Sequence, residues 1–270
     1  MSEDDLLTRR SVLLASAVGG VAAAGGLIGS TAPAIARASL GGERRAPLWK
    51  IARRRGVVYG SSTATWQLSD AEYRQLFARE AGILFTEDDL LWYRLRPTPE
   101  SDLDFSYADR IIGFAERQQM LVFGAHLVWD QGFGEGWTDD DVWGLSEQAA
   151  RRLLFGTAKR VVTRYRGRVA AWSVVNEAIS PEGVQGLRTD VPWYETIGPS
   201  YIEEAFHIAH DADPNATLLL NEFGFETDDE FDSAADKRAK ALLVLDQLLD
   251  ADAPVHALGV QGHLEADGFA

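Results

Sequence analysis

The sequence of 270 residues contains no cysteine. This absence excludes a disulfide scaffold, thiolate catalysis, and zinc or iron–sulfur sites with cysteine ligands. Basic residues are also scarce, because 26 Lys and Arg stand against 41 Asp and Glu and leave a formal net charge of −15. Contacts to nucleic-acid phosphates need clustered basic side chains, so nucleic acid is excluded as a partner. The hydrophobic share of 46% is that of a folded globular protein rather than a disordered one.

The first 38 residues differ from the rest and have the features of a twin-arginine export signal. Arg9 and Arg10 precede a weakly apolar run over residues 11–28, and the small residues Ala36 and Ala38 fit a cleavage site. A membrane anchor is the alternative, but the run is rich in glycine and alanine and less apolar than a spanning helix. The sequence therefore predicts an export signal over residues 1–38, no stable membrane anchor, and a periplasmic or secreted mature protein, residues 39–270.

Beyond residue 55, short β-rich runs alternate with longer segments of helical periodicity. This alternation is typical of repeated βα units. The predicted strands are 56–60, 83–85, 121–128, 169–175, 217–220 and 257–260. The predicted helices are 70–80, 107–119, 146–165, 201–212 and 236–249, with Ser69 as the expected N-cap of the first.

Six strands separated by five helices fit either a doubly wound sheet or a parallel barrel. Residues 60–63 carry neither the dinucleotide-binding glycine spacing nor a phosphate-binding Lys, which disfavours the doubly wound sheet. The polar residues that end the predicted strands are Glu87, His126, Asn176, Glu177, Asn221, Glu222, Gln261 and His263. Because strand ends of a barrel converge on one pocket, we predict a TIM (β/α)8 barrel, represented by about its first six βα units.

The apolar strand over residues 171–175 runs directly into Asn176 and Glu177. A solitary Glu at this place would more often cap a helix or pair with an Arg. Here an amide precedes it, and the sequence holds eight tryptophans, although most of these can be core residues. Aromatic faces stack on sugar rings, and amides with carboxylates bind hydroxyls, so this mixture is typical of a polysaccharide cleft.

Four segments carry motifs in a fixed order along the chain. Residues 124–129 read Gly-Ala-His-Leu-Val-Trp, 172–178 read Trp-Ser-Val-Val-Asn-Glu-Ala, 220–223 read Leu-Asn-Glu-Phe, and 259–264 read Gly-Val-Gln-Gly-His-Leu. Together they resemble the third-strand to sixth-strand motifs of glycoside hydrolase family 10, the endo-β-1,4-xylanases. The resemblance runs from about residue 57 to the C-terminus.

The resemblance implies hydrolysis of β-1,4 bonds in xylan or a related β-glycan, with retention of configuration and without metal or cofactor. Glu177 matches the family's acid/base catalyst, and Asn176 matches the neighbour that holds a sugar hydroxyl. An acid catalyst must keep its proton near neutral pH, and an apolar setting would favour the protonated form of Glu177. The remaining substrate-binding candidates are Glu87, His126, Trp129, Asn221, Gln261 and His263. The implied partner is a polysaccharide, and the complete protein is expected to be a monomer.

The sequence departs from the family pattern in two respects. The family's nucleophile is a Glu on the seventh strand, and no equivalent follows the sixth predicted strand, so we expect a truncated barrel. In addition, Leu91 and Asp130 replace a Lys and a His, and His126 lies one place after the family's His position. That shift would turn the imidazole to the other face unless a bulge restores it. Two hypotheses stay open: an enzyme that lacks its nucleophile here, and a non-catalytic, sugar-binding or non-functional remnant.

Overall fold

Six parallel strands form one curled sheet in the computed structural model, which describes residues 45–228 and 233–264. The strands are β1 (Gly60–Thr63), β2 (Ile83–Thr86), β3 (Leu121–Gly124), β4 (Ala171–Asn176), β6 (Thr217–Glu222) and β7 (Ala257–Val260), with β5 (Ile179–Val184) outside the sheet. Their order in the sheet is β1-β2-β3-β4-β6-β7, and every neighbouring pair is parallel. The sheet is a half-barrel, as the prediction of about six βα units requires.

Helices follow the strands along the chain, as in other βα repeats. They are α1 (Leu48–Arg53), α2 (Ala71–Glu80), α3 (Trp92–Leu95), α4 (Ser106–Arg117), α5 (Asp140–Trp143), α6 (Glu147–Arg164), α7 (Pro192–Ile197), α8 (Ser200–Ala212) and α9 (Ala234–Asp250). Within the described ranges, no helix is long and apolar enough to cross a membrane. The predicted export signal lies outside the described residues.

The N-cap of α2 differs from the prediction. Asp70 rather than Ser69 is the cap, because its carboxylate accepts the backbone N–H groups of Glu72 and Tyr73 at 2.8 and 3.0 Å. The Ser69 hydroxyl instead donates to the carbonyl of Trp66 at 2.5 Å. Ser146 and Ser233 cap α6 and α9 in the same way as Asp70 caps α2.

Two strand boundaries also differ from the prediction. The first strand is Gly60–Thr63, not 56–60, because only Val58 of the preceding apolar run packs against the sheet, while Val57 and Tyr59 are exposed. The third strand ends at Gly124, four residues before the predicted end. Beyond it the chain leaves the ladder, and it returns to β4 at Leu127 and Val128 through backbone hydrogen bonds and the bridge between Val128 and Val175.

The two faces of the sheet bury different clusters. The inner face packs Ile83, Phe123, Ala171 and Leu219 together. The outer face belongs to the large core beneath the helices and includes Leu84, Val122, Trp172, Leu218 and Leu220. Side chains alternate between these faces along each strand, so the same alternation decides which residues face the site at the strand ends.

Gly124 on β3 lies opposite Trp172 on the neighbouring strand β4. A Cβ atom there would come within 2.3 Å of Trp172 Cζ3, and the Trp172 side chain is fully buried and cannot move aside. We expect Gly124→Ala to lower the free energy of unfolding by about 1–3 kcal/mol, measured by urea denaturation. Gly156→Ala in α6 is the control, because a Cβ there meets open space and should stabilise the protein by about 0.5–1 kcal/mol. Equal effects of the two substitutions would contradict this account of the packing.

Candidate active site

The carboxyl ends of β4 and β6 and the segment after β7 bring three amide side chains together. Asn221 Nδ2 donates to Asn176 Oδ1 at 2.7 Å, and Gln261 Nε2 approaches the same oxygen at 3.3 Å. Gly259 is required beside them, because a Cβ at this position would lie 2.2 Å from Asn221 Oδ1. Three of the candidate residues therefore form one hydrogen-bonded cluster, as convergent strand ends predict.

A bulge in β4 turns Asn176 toward the inner face. The pairing of β4 with β6 shifts by one residue between Ser173 and Val175, so that Asn176 lies opposite Asn221. Without this extra residue, the alternation from Ala171 would direct Asn176 into the outer core. Asn176 is 4% exposed, and its Nδ2 has no hydrogen-bond partner among the described residues. A buried donor of this kind is normally satisfied, so a group outside the protein chain can fill the place.

Glu177 follows the bulge in a left-handed backbone conformation with φ of 58°. Its N–H donates to the carbonyl of Asn221 at 2.9 Å, which ties the turn to β6. Its half-buried carboxylate accepts Trp129 Nε1–H at 3.0 Å on one oxygen and Gln261 Nε2–H at 2.9 Å on the other. Left-handed conformations are uncommon outside glycine and recur where a side chain must be aimed for function.

Trp129 is itself held in place by its surroundings. The Trp193 indole donates to the Trp129 carbonyl at 2.9 Å, and the His126 ring lies 5.3 Å from the Trp129 ring. Trp193 is buried, as are Trp92, Trp137 and Trp172, so these four tryptophans are core residues. Trp129 is half-buried and presents the indole N–H to Glu177.

His126 faces the inner side of the sheet. Its Nδ1 lies 2.7 Å from the hydroxyl of Ser173, which lies two residues after Ala171 and therefore on the same, inner face. Because the chain leaves the ladder after Gly124, strand alternation does not extend to His126, and the one-place shift does not turn the imidazole away. Burial lowers the pKa of His126 to about 3, so the imidazole is neutral at ordinary pH.

Arg188 connects Glu177 to a neighbouring loop. Its guanidinium donates to the Glu177 carbonyl at 3.1 Å and to the Asp130 carboxylate at 2.9 Å. Asp130, which stands where the family has a His, is thus an ion-pair partner of Arg188. Nothing in the sequence indicated Arg188, because it lies beyond β5 and returns to Glu177 only through the fold.

A buried ion pair lies directly below the site. Glu222, at the end of β6, is fully buried, and its Oε2 lies 3.5 Å from Lys237 Nζ on α9. Its other oxygen accepts the N–H of Ile179, two residues after Glu177, at 2.8 Å. The pKa of Glu222 is raised to about 7, mainly by burial and in part by the charge of Glu177, against the lowering effects of Lys237 and of the Ile179 N–H. The sequence predicted Lys237 only as a helix residue away from the site.

The remaining two candidates occupy the margins of this cluster. His263 Nε2 lies 2.7 Å from Gln261 Oε1, and the imidazole is exposed. Glu87 follows β2 and is half-buried, but within the described part of the chain its side chain makes no hydrogen bond to the Glu177 group. Across the same residues, no group of three or more His, Cys, Asp or Glu side chains is placed to hold a metal ion.

Residues 48–270 match the family described as Glycosyl hydrolase family 10. Endo-1,4-beta-xylanase B of Thermotoga neapolitana is 32% identical over 234 residues, which cover 84% of this chain and 63% of the relative. Beta-1,4-xylanase of Dictyoglomus thermophilum is 36% identical over 200 residues, which cover 74% of this chain and 53% of the relative. The chain thus spans less than two thirds of the length of these two relatives.

The fold is similar to solved xylanase structures. Native xylanase 10B of Thermotoga maritima superposes with a TM-score of 0.70 and 32% identity, over 83% of this chain and 67% of that one. Xylanase 10B of Thermotoga petrophila RKU-1, solved in complex with xylobiose, gives a TM-score of 0.71 and 28% identity, over 85% and 68% of the two chains. The half-barrel, the motif order and the extent of the sequence match lead to one assignment. The chain belongs to glycosyl hydrolase family 10.

Proposed function

We propose that this protein hydrolyses β-1,4-glycosidic bonds in xylan or a related β-glycan, with Glu177 as the acid/base group. The observation that carries the proposal is the position of the Glu177 carboxylate. It lies half-buried at the carboxyl end of a central strand, and Trp129 and Gln261 hold its two oxygens. A carboxyl group fixed in this way presents its proton in one direction, which general acid catalysis of glycoside cleavage requires.

The neighbours of Glu177 supply the contacts that a sugar ring needs. Asn176 Nδ2, which lacks a partner among the described residues, donates to the hydroxyl next to the reacting carbon. Trp129 offers a half-buried aromatic face, and His126 offers a neutral ring nitrogen. The complete set of substrate-binding residues in the proposal is Glu87, His126, Trp129, Asn176, Asn221, Gln261 and His263.

A retaining mechanism needs a second carboxylate as nucleophile, about 5–5.5 Å from the acid/base group. Glu222 is unsuited to this role, because it is fully buried and both of its oxygens are engaged, by Ile179 N–H and by Lys237. The family resemblance implies a Glu on the seventh strand of the complete barrel as nucleophile, and the proposal finds no equivalent of it among these 270 residues. In this proposal Glu177 carries the acid/base half of the mechanism.

The second candidate function is carbohydrate binding without catalysis. The buried state of Glu222 favours it, because this carboxylate on β6, whose charge interacts with that of Glu177, cannot attack a substrate. In that case the amide cluster and Trp129 bind a glycan that is not cleaved. The two functions differ in product formation and not in binding.

The experiment is to incubate the purified chain with xylan and to measure both reducing-end release and the binding of xylo-oligosaccharides by calorimetry. Binding with release supports hydrolysis by this chain, and binding without release supports the non-catalytic function. Absence of both would refute the two functions together. Cellulose of matched concentration is the control for substrate class, and weaker binding of its oligosaccharides is expected if the glycan is xylan.

The location of this activity is part of the proposal. The twin arginine of Arg9 and Arg10 supports export of the folded protein, so that it acts on the polysaccharide in the periplasm or outside the cell. We expect a monomer when the barrel is complete. Fractionation of cells that express the tagged protein, with and without Arg9→Lys/Arg10→Lys, tests the route, and an unchanged distribution would exclude it.

A further inference from the structure

Trp66 is the most exposed large apolar side chain of the described residues, at 62%. It lies in the turn after β1, at the carboxyl end of the strand and therefore on the same edge of the sheet as Glu177. The four core tryptophans are at most 8% exposed. Burial of a large apolar side chain stabilises a protein by roughly 1.5–3 kcal/mol, so the fold gains little from Trp66 in this position.

The Trp66 ring is fixed although it is exposed. Its Nε1–H donates to Asp88 Oδ2 at 3.1 Å. The backbone on both sides is also held: Thr65 N–H donates to Asp89 at 2.8 Å, and Ser69 N–H donates to the Trp66 carbonyl at 3.2 Å. A ring that is already ordered loses little conformational entropy when a ligand stacks on it, which is the arrangement that favours binding.

Asp88 completes the polar side of this surface. Its carboxylate also faces the phenol of Tyr93, whose pKa is raised to about 12 by burial and then by the Asp88 charge. The phenol therefore remains protonated at ordinary pH. One carboxylate thus has two aromatic neighbours and lies at the surface, where it can accept a hydrogen bond from a sugar hydroxyl.

The position of Trp66 sets the length of its ligand. β1 and β4 are separated by two strands, and with neighbouring strands ~4.8 Å apart the two strand ends lie ~14 Å apart along the sheet edge. Glu87 and His126 follow the two strands between them and are half-buried polar residues. Only an oligomeric ligand can occupy both ends of this row at once.

The charges around the row decide which oligomer fits. Glu87 and Asp88 are acidic, and the protein as a whole carries a formal charge of −15. A negatively charged glycan would be repelled, whereas a neutral one presents hydroxyl donors to these carboxylates. We propose that Trp66 is a stacking platform for a pyranose ring of a neutral xylo-oligosaccharide whose other end lies at Glu177. The proposal rests on the proposed function, because it assigns a distal subsite to the same cleft.

The test compares ligands of two lengths. Thio-linked xylohexaose and thio-linked xylobiose, which resist hydrolysis, are titrated calorimetrically into the wild-type chain and into Trp66→Ala. We expect Trp66→Ala to weaken the binding of thio-linked xylohexaose about tenfold, which corresponds to the energy of one aromatic stack. The affinity for thio-linked xylobiose should change by no more than about twofold. Trp66→Phe keeps an aromatic face without the N–H and should recover most of the lost affinity.

The control is Leu242→Ala, which removes a side chain of nearly the same exposure, 61%, from α9. It should leave both affinities unchanged. Wild-type binding of both ligands with no effect of Trp66→Ala on xylohexaose would overturn the platform and leave the proposed function standing. Failure of the wild-type chain to bind either ligand would overturn both.

Discussion

Replacement of Glu177 by Gln is expected to lower the rate of glycosidic bond cleavage about 10²–10⁴-fold on a substrate with a poor leaving group. The substitution removes the transferable proton and keeps the shape of the side chain. Oligosaccharide binding should change little, because Asn176, Trp129 and Asn221 remain in place. The loss therefore belongs in kcat rather than in the affinity for the glycan.

The hydrogen bonds around Glu177 show which contacts the side-chain amide of Glu177→Gln would disturb. Trp129 Nε1 can only donate, so the amide oxygen of the Gln must face it. The amide nitrogen then faces Gln261, which must rotate its own amide and give up its contact with Asn176 at 3.3 Å. This rearrangement is local, and we expect the free energy of unfolding to stay unchanged within about 0.5 kcal/mol.

The measurement uses phenyl and 4-nitrophenyl β-xylobiosides with azide as external nucleophile. Azide forms the bond to the anomeric carbon while the bond to the phenol oxygen breaks, and Glu177 gives that oxygen its proton. The step is thereby independent of a second carboxylate. Glu177→Gln should slow the phenyl compound strongly and the nitrophenyl compound weakly, because nitrophenolate leaves without protonation.

Glu182→Gln on the exposed part of β5 is the matched control, since it makes the same chemical change five residues away. It should leave both rates unchanged. Equal losses on the two substrates in Glu177→Gln would show that Glu177 does not donate a proton to the leaving group.

Apolar runs and strand-end polar residues were sufficient to predict the six parallel strands. The larger boundary errors lie where side-chain pattern and backbone pairing diverge. Residues 57–59 are apolar but precede the ladder, and residues 125–128, which are apolar except for His126, leave it. Local composition does not encode where a ladder begins, because pairing depends on the neighbouring strand.

The candidate site shows the same limit at the level of single residues. Asn176 and Glu177 were predicted because they follow an apolar strand in a recognisable motif. Their orientation depends on the bulge between Ser173 and Val175 and on the left-handed backbone of Glu177, which a strand alternation rule cannot supply. Arg188 and Lys237 were not predicted, because each reaches the site from an element that is distant in sequence.

Lys237→Met is expected to lower the free energy of unfolding by about 2–3 kcal/mol at pH 8.5, because it leaves the Glu222 carboxylate buried without a counter-charge. The Lys237 side chain is 1% exposed, and its ammonium also lies 3.5 Å from the centre of the Phe223 ring. Met fills a similar volume, so little of the loss arises from a cavity. The charge of Glu222 is therefore the main origin of the effect.

The pH dependence separates this charge effect from packing. The pKa of Glu222 is about 7 in the folded protein and has an ordinary value of 4.5, so the folded state binds the proton more tightly than the unfolded state. The contribution of Glu222 to the free energy of unfolding of the wild-type protein accordingly falls as the pH rises from about 4.5 to about 7, and it is constant above pH 7. Without Lys237 the folded-state pKa rises further, and the decline continues to higher pH.

Urea unfolding at pH 5.5 and pH 8.5 should therefore give a loss for Lys237→Met of about 1 kcal/mol or less at the lower pH and the larger value at the higher pH. Lys240→Met, one turn along α9 and partly exposed, is the control and should show a small loss that does not depend on pH.

The double variant Glu222→Gln/Lys237→Met removes both charges and should recover most of the stability at pH 8.5, because no buried charge then lacks a counter-charge. An equal loss at both pH values would show that Lys237 supports the protein by packing alone.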